Sequence, residues 1–165
     1  MKKVLLLIIS VVSVLHVYAQ DDTPQMQSAD SIALKLAQLQ NDYNYMSCEF
    51  QLFRMQSELN GLSQDANIKA NEVLLNTYNS RYNRDLYSAY LRNYDAYCAL
   101  FNSQKEKYRH LNTWIMLQIA TSDFTDTQLK VISATFDSID KGIASVDAAL
   151  DYYDTALQTY KNKRW

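Results

Sequence analysis

The sequence predicts an all-α protein, an elongated antiparallel three-helix bundle or coiled coil. The chain of 165 residues holds two glycines and one proline, whereas soluble proteins usually contain about 7% and 5% of these residues. A chain with so few turn-forming residues makes few turns, and the short strands of a sheet would need many. Apolar residues also recur at spacings of three and four over long segments, which is typical of helices that pack lengthwise.

The first helix is predicted at about residues 28–60, after a flexible lead over residues 20–27. A heptad seam runs through Ile32, Leu36, Leu39, Tyr43, Met46, Phe50 and Phe53. Further apolar residues broaden this stripe, as expected for a helix with two neighbours, and they are Leu34, Tyr45, Leu52, Met55 and Leu59. Gly61 follows where a left-handed residue is favoured at a helix C-terminus, so the first turn is predicted there.

The second helix is predicted at about residues 63–121. Its apolar residues recur about once per helical turn, and they are Leu75, Tyr78, Tyr82, Leu86, Tyr90, Tyr94, Tyr97, Phe101, Tyr108, Leu111, Ile115 and Ile119. Residues 76–85 interrupt this pattern with three Asn together with Ser and Thr, which are mediocre helix formers. A break near residues 76–85, giving four helices, is the alternative.

The third helix is predicted at about residues 125–163 and has the clearest start signal. Thr125 and Gln128 form a potential capping box, and Phe124 and Leu129 form a potential hydrophobic staple. Apolar residues then alternate at spacings of three and four without a miss, through Leu129, Ile132, Phe136, Ile139, Ile143, Val146, Leu150, Tyr153, Leu157 and Tyr160. This seam predicts lengthwise packing against a partner helix.

Residues 1–19 are predicted to be a Sec-type signal peptide. Lys2 and Lys3 precede an apolar run that closes on Ala19, which is the order of a secretory signal. The run is shorter than the about 20 residues that span a bilayer and contains His16, so stable membrane insertion after cleavage is not expected. Without a Cys near the cleavage point, a lipoprotein is not expected either. The mature protein is therefore predicted to be secreted or periplasmic, with residues 28–165 forming a single helical-bundle domain.

The charge balance argues against a nucleic-acid partner. Removal of Lys2 and Lys3 leaves 14 of the 16 basic residues against 18 acidic ones. A weakly acidic chain lacks the basic surface that nucleic-acid binding requires.

Five tyrosines are the candidate ligand-binding or partner-binding residues, and they are Tyr78, Tyr82, Tyr90, Tyr94 and Tyr97. Most of them share one helix face with the expected core residues Leu86 and Phe101. Tyr suits the margin of a thin core, because its ring is apolar and its hydroxyl prefers water. The structural interpretation is therefore preferred, and an uncovered tyrosine face that binds an extended ligand is the alternative.

Neither a disulfide nor a catalytic centre is expected. With the first turn at Gly61, Cys48 would lie opposite about residue 75, roughly 35 Å from Cys98 along the helix, so geometry argues against an intrachain bridge. Only His110 remains after signal removal, with Glu106 one helical turn away. A single imidazole on a charged helix surface is usually solvated, and no cofactor-binding or metal-binding motif is present.

The sequence therefore predicts an exported, non-enzymatic helical-bundle protein that serves as a protein–protein interaction or scaffold module. Its expected partner is another helical protein or a second copy of itself. Two alternatives stay open: a binding module for an extended ligand on the tyrosine face, and a periplasmic holdase-like chaperone.

Overall fold

The structure is a computed structural model that describes residues 24–163. The predicted signal peptide at residues 1–19 and the first four residues of the predicted lead lie outside this range. The chain divides into two units, residues 1–42 and residues 43–165, and each is described by itself. A single domain over residues 28–165 stays a prediction.

Three helices account for the regular structure of the described residues: α1 (Pro24–Asn79), α2 (Arg84–Thr121) and α3 (Asp126–Lys161). The predicted all-α class is confirmed. In the first unit, the described residues 24–42 are helical. The helix begins at Pro24, earlier than the predicted lead allowed, because proline is well accommodated in the first turn of a helix.

In the second unit, α1 and α3 run parallel and in register, and α2 runs antiparallel to both. Hydrogen bonds between α1 and α3 join residues at a nearly constant sequence offset of 81 or 82, and these pairs are Gln56 with Ser138, Ser63 with Ser145, and Asn71 with Tyr152. The opposite direction of α2 is shown by its contacts with α1, such as Asn76 with Tyr90 and Glu58 with Lys107, in which residue numbers rise on one helix as they fall on the other. The predicted three-helix bundle is therefore confirmed.

The first turn lies at residues 80–83 rather than after residue 60, so the predicted helix bounds 28–60 and 63–121 are wrong. The helix continues through Gly61, whose position has open space around it. A glycine inside a helix costs about 1 kcal/mol relative to alanine, and the packed residues Leu59 and Ala66 on either side hold the helix together. The chain does break within the polar run 76–85, which the sequence offered as the alternative, but the helix count stays at three.

The C-terminal end of α3 anchors this turn. The Asn83 side chain caps α2 by accepting from the backbone N–H groups of Asp85 and Leu86 at 2.9 and 3.1 Å. The Asn83 backbone N–H donates to the Tyr160 hydroxyl at 3.1 Å. Lys163 Nζ donates to carbonyls near the end of α1, where a cation complements the helix dipole. Contacts with the C-terminal end of α3 thus hold the backbone of this turn, which contains no glycine.

The core face of α1 is not the predicted seam. The buried apolar residues of α1 in the second unit recur at heptad spacing, and three of the seven have small side chains: Cys48, Leu52, Met55, Leu59, Ala66, Ala70 and Val73. All seven residues of the predicted seam, Ile32 through Phe53, are exposed instead. Small residues let α1 approach α3 closely, and at Gly142 of α3 an added Cβ would lie 3.5 Å from Leu59. Side-chain size alone therefore predicted the wrong core face for α1.

The predicted capping box and apolar seam of α3 are confirmed. Gln128 N donates to Thr125 Oγ1 at 3.3 Å, and Thr125 N donates to Gln128 Oε1 at 2.9 Å, which completes the capping box. Every residue of the predicted α3 seam is buried or half-buried. A helix that contacts both neighbours along its whole apolar stripe leaves little freedom for a second choice of face.

Replacing Gly61 with Ala tests whether this residue lies inside a helix. We expect Gly61→Ala to raise the free energy of unfolding by about 0.5–1 kcal/mol, because alanine loses less backbone entropy in a helix interior. Urea unfolding followed by circular dichroism measures the change. A left-handed turn at this position would give the opposite sign, since alanine is strained there.

A matched pair of neighbouring residues tests which face of α1 is the core. Leu52→Ala removes a fully buried side chain and should cost about 2–5 kcal/mol of unfolding free energy. Phe53→Ala truncates an exposed side chain and should change that free energy by less than about 0.5 kcal/mol in dilute solution. The reverse order of the two effects would restore the face that the sequence indicated.

Candidate interaction surface

The five candidate tyrosines do not form one surface. Tyr78 lies near the end of α1 with 79% of its surface exposed. Tyr82 lies in the turn before α2 and is half-buried, whereas Tyr90 is buried. Tyr94 and Tyr97 follow on α2 and are half-buried. Four of the five candidates therefore lie within the packed part of the bundle.

These four rings meet two tyrosines of α3, Tyr153 and Tyr160, which the sequence had assigned only to the helix seam. The ring contacts have centroid distances of 5.5–6.2 Å and join Tyr94 and Tyr97 to Tyr153, and Tyr82 and Tyr90 to Tyr160. Such edge-on and tilted aromatic pairs stabilise a core beyond their buried area. The hydroxyl groups are also satisfied internally, since Tyr153 donates to the Tyr90 carbonyl at 3.2 Å and Asn76 donates to the Tyr90 hydroxyl at 2.7 Å. This placement favours the structural interpretation, and a ligand on this face stays a prediction.

Burial of the tyrosine side chains raises the pKa of their hydroxyl groups. Desolvation first, and then a hydrogen bond with Cys98, raise the pKa of Tyr94 to about 12. Desolvation raises the pKa of Tyr108 to about 12 as well, with a further contribution from its hydrogen bond to Asp140. Both shifts disfavour the phenolate, so the surroundings of these two hydroxyls favour the protonated form.

Two adjoining clefts between α1 and α2 are lined partly by polar side chains and are therefore candidate ligand sites. Their volumes are about 220 and 280 Å³, and Gln51 and Leu111 line both. In the first cleft Glu58 accepts from Arg54 at 2.8 Å and lies 3.6 Å from Lys107. The hydrogen bond from Arg54 is the largest cause that lowers the pKa of Glu58, and Lys107 adds to it. This carboxylate is a charged partner in an ion-pair network.

His110 borders the second cleft and is exposed. Its potential partner Glu106 instead accepts a hydrogen bond from Arg109 at 2.5 Å. Residues 24–163 contain no group of three His, Cys, Asp or Glu side chains that could hold a metal ion. The first cleft thus contains the ion-paired Glu58, and the second is bordered by the exposed His110.

The two cysteines are free, with Cys48 buried and Cys98 half-buried. Burial raises the pKa of the Cys48 thiol, which makes it a poor nucleophile.

Over residues 24–163, no helix is long and apolar enough to cross a membrane.

The most unusual surface feature is an apolar stripe on α1, formed by Tyr43, Met46, Phe50 and Phe53. These four large side chains are 59–66% exposed and lie at spacings of three, four and three. At 100° per residue, the stripe points about 170° away from the core face of Cys48, Leu52, Met55 and Leu59. One helix therefore carries two opposed apolar faces, of which the bundle uses one. We call the other the α1 stripe.

The sequence revealed the residues of the α1 stripe but assigned them to the bundle interior. Its spacing is that of a helix–helix interface, and the same spacing occurs on the core face. Only the exposure of each side chain separates the two faces. The α1 stripe replaces the tyrosine face as the main candidate for partner binding.

The raised tyrosine pKa values predict alkaline destabilisation. The unfolded chain releases tyrosine protons near pH 10, whereas Tyr94 and Tyr108 hold theirs to about 12 in the folded state. Their contribution is therefore complete below about pH 10 and is lost as the pH rises toward about 12. Urea unfolding at increasing pH should show this loss, and Tyr94→Phe should reduce it. A stability independent of pH in this window would contradict the burial of these hydroxyls.

Comparison of the chain with protein-family models, with curated proteins and with solved structures returns no match. The α1 stripe thus has to be interpreted from its own physical chemistry.

Proposed function

We propose that this chain is an exported helical-bundle protein that acts, without catalysis, as a protein–protein interaction or scaffold module through the α1 stripe. The observation that carries the proposal is the exposure of four large apolar side chains at helical spacing on the face of α1 opposite to its core. Export is supported by the signal-like pattern of residues 1–19.

The size of the α1 stripe supports a binding role. Aromatic side chains bury about 150–250 Å² when fully covered, so four side chains exposed by about 60% present on the order of 500 Å². Contiguous apolar patches of roughly 300–600 Å² are the largest found on typical monomeric proteins and often serve in binding. Aromatic residues and Met are also the types enriched in protein interfaces.

The geometry of the α1 stripe favours a helical partner. Residues spaced three and four apart on a straight helix form a narrow, nearly axial ridge, which fits between the side chains of another helix. Polar residues end the ridge, because Ser57 and Asn60 occupy the next two positions of the same register. From Tyr43 to this C-terminal limit, the part of the ridge that lies in the second unit is about three helical turns long.

A non-catalytic role is supported by how the polar groups of the bundle are used. Arg54 and Lys107 both pair with the Glu58 carboxylate between α1 and α2. Glu106, the carboxylate nearest in sequence to His110, engages Arg109. The carboxylate in the first cleft and the one nearest to His110 in sequence are therefore both paired within the protein.

Site-specific photo-crosslinking tests this proposal in the native host. A photoreactive amino acid in place of Phe50 should capture a polypeptide, because Phe50 lies in the middle of the α1 stripe. The control is the same replacement at Leu100, which is 53% exposed on α2 and lies off the stripe, and it should give little adduct. Fractionation of the same cells reports whether the chain leaves the cytoplasm. Equal or absent crosslinking at the two positions would refute the proposed surface.

A further inference from the structure

We propose that the partner of the α1 stripe is a second copy of this chain, paired in parallel and in register about a two-fold axis. This inference rests on the proposed function, since it names the partner for the same surface. It uses only residues 43–54, which all belong to the second unit.

Self-pairing follows first from the pattern of the α1 stripe. In heptad terms Tyr43 and Phe50 occupy one core position, and Met46 and Phe53 occupy the other. A parallel two-fold pair then places each residue beside its own counterpart, in layers of Tyr43, Met46, Phe50 and Phe53. The partner must present this same ridge, and the chain itself does so.

Charge complementarity selects the orientation. Glu49 and Arg54 flank the α1 stripe on opposite sides, are five residues apart, and are both exposed. In a parallel coiled coil this is the spacing at which a residue of one chain reaches the flanking residue of the other. Each Glu49 would therefore face the Arg54 of the second copy, twice per dimer.

An antiparallel pair lacks this complementarity. The antiparallel alignment that overlaps all four stripe residues brings Tyr43 opposite Phe53 and Met46 opposite Phe50. It also places the two Glu49 carboxylates against each other near the two-fold axis, and like charges at flanking positions disfavour a pairing. The parallel arrangement is thus the one the side chains favour.

The fold leaves the α1 stripe accessible to a second copy, and the surface area that the pair would bury is sufficient for a specific dimer. The α1 stripe points away from the core face, so a second copy can bind without disturbing the contacts of α1 with α2 and α3. Two stripes bury on the order of 1,000 Å² together, which is near the lower limit of specific interfaces. The dimer should accordingly be reversible, with dissociation measurable by dilution.

Paired charge reversals test the inference by sedimentation of the full chain over a range of concentrations. The wild type should shift between monomer and dimer, and Phe50→Asp should remain monomeric. Glu49→Arg and Arg54→Glu should each weaken the dimer by about three- to tenfold, because each replaces two attractive pairs with repulsive ones. An equimolar mixture of these two variants should recover dimerisation, since the two flanking positions then carry opposite charges across the heterodimer interface.

A matched control separates the dimer from local helix effects. Arg54 also pairs with Glu58 on its own helix at 2.8 Å, and Arg54→Glu removes that pair as well. Lys69→Glu removes a comparable pair with Glu72 at 2.7 Å but lies off the α1 stripe, so it should leave the dissociation constant unchanged.

Three outcomes would overturn the inference. A wild type that stays monomeric at every concentration excludes the second copy, and an adduct at position 50 with a different polypeptide then leaves the proposed function standing. Dimerisation unaffected by Phe50→Asp excludes the α1 stripe as the interface. A dimer that neither Glu49→Arg nor Arg54→Glu weakens indicates the antiparallel pair, because the first exchanges one like-charged pair for another and Arg54 faces no charged position there.

Discussion

The close, parallel packing of α1 against α3 is the contact on which the rest of the second unit depends. It is made possible by small residues on both helices, with Ala66 and Ala149 in one core cluster and Ala70 and Ala156 in the other. Gly142 lets the Leu59 side chain lie against the backbone of α3. Because helices can approach closely only where side chains are small, this row of small residues fixes which face of α1 turns inward.

Polar contacts then set the register of that packing. Ser63 pairs with Ser145 at 2.9 Å, and Gln56 donates to Ser138 at 2.5 Å. A partly buried hydrogen bond adds only about 0.5–1.5 kcal/mol, but an unmade one costs more. A shift of one helical step would leave these groups unpaired, so they specify the alignment more than they stabilise it. Tyrosines fill the core near the turn at residues 80–83, where Tyr90, Tyr153 and Tyr160 are buried. Tyr90 lies edge-on to Tyr160, and the Tyr153 hydroxyl donates to the Tyr90 carbonyl.

The α1 stripe follows from the same constraint. Once the row of small residues faces α3, the larger residues on the opposite side of the helix have no neighbour within the bundle. Exposing several aromatic side chains is costly for a protein that works alone, and it is common where a partner covers them. The bundle and the proposed interface are thus two consequences of one helix that carries two apolar faces.

The sequence by itself determined the all-α class, the start of α3 and the residues of its seam. Those features depend on local chemistry: Thr125 and Gln128 satisfy each other's backbone groups within one turn, and the α3 stripe is the only continuous apolar stripe on its helix. The apolar residues predicted to face the core from α2, Leu86 through Ile119 at one per helical turn, were likewise evident, and none of that set is exposed.

Only the tertiary structure decided which face of α1 is the core and where α1 ends. Both faces of α1 have helical spacing, and the aromatic side chains lie on the exposed one, so side-chain size alone favours the wrong face. The turn at residues 80–83 depends on Tyr160 and Lys163, which are distant in sequence and reach it only after α3 has packed. Gly61 lacked such contacts and stayed helical because the core residues on either side of it face α3. Local propensity is worth about 1 kcal/mol at such a position, and burial of several core side chains outweighs it.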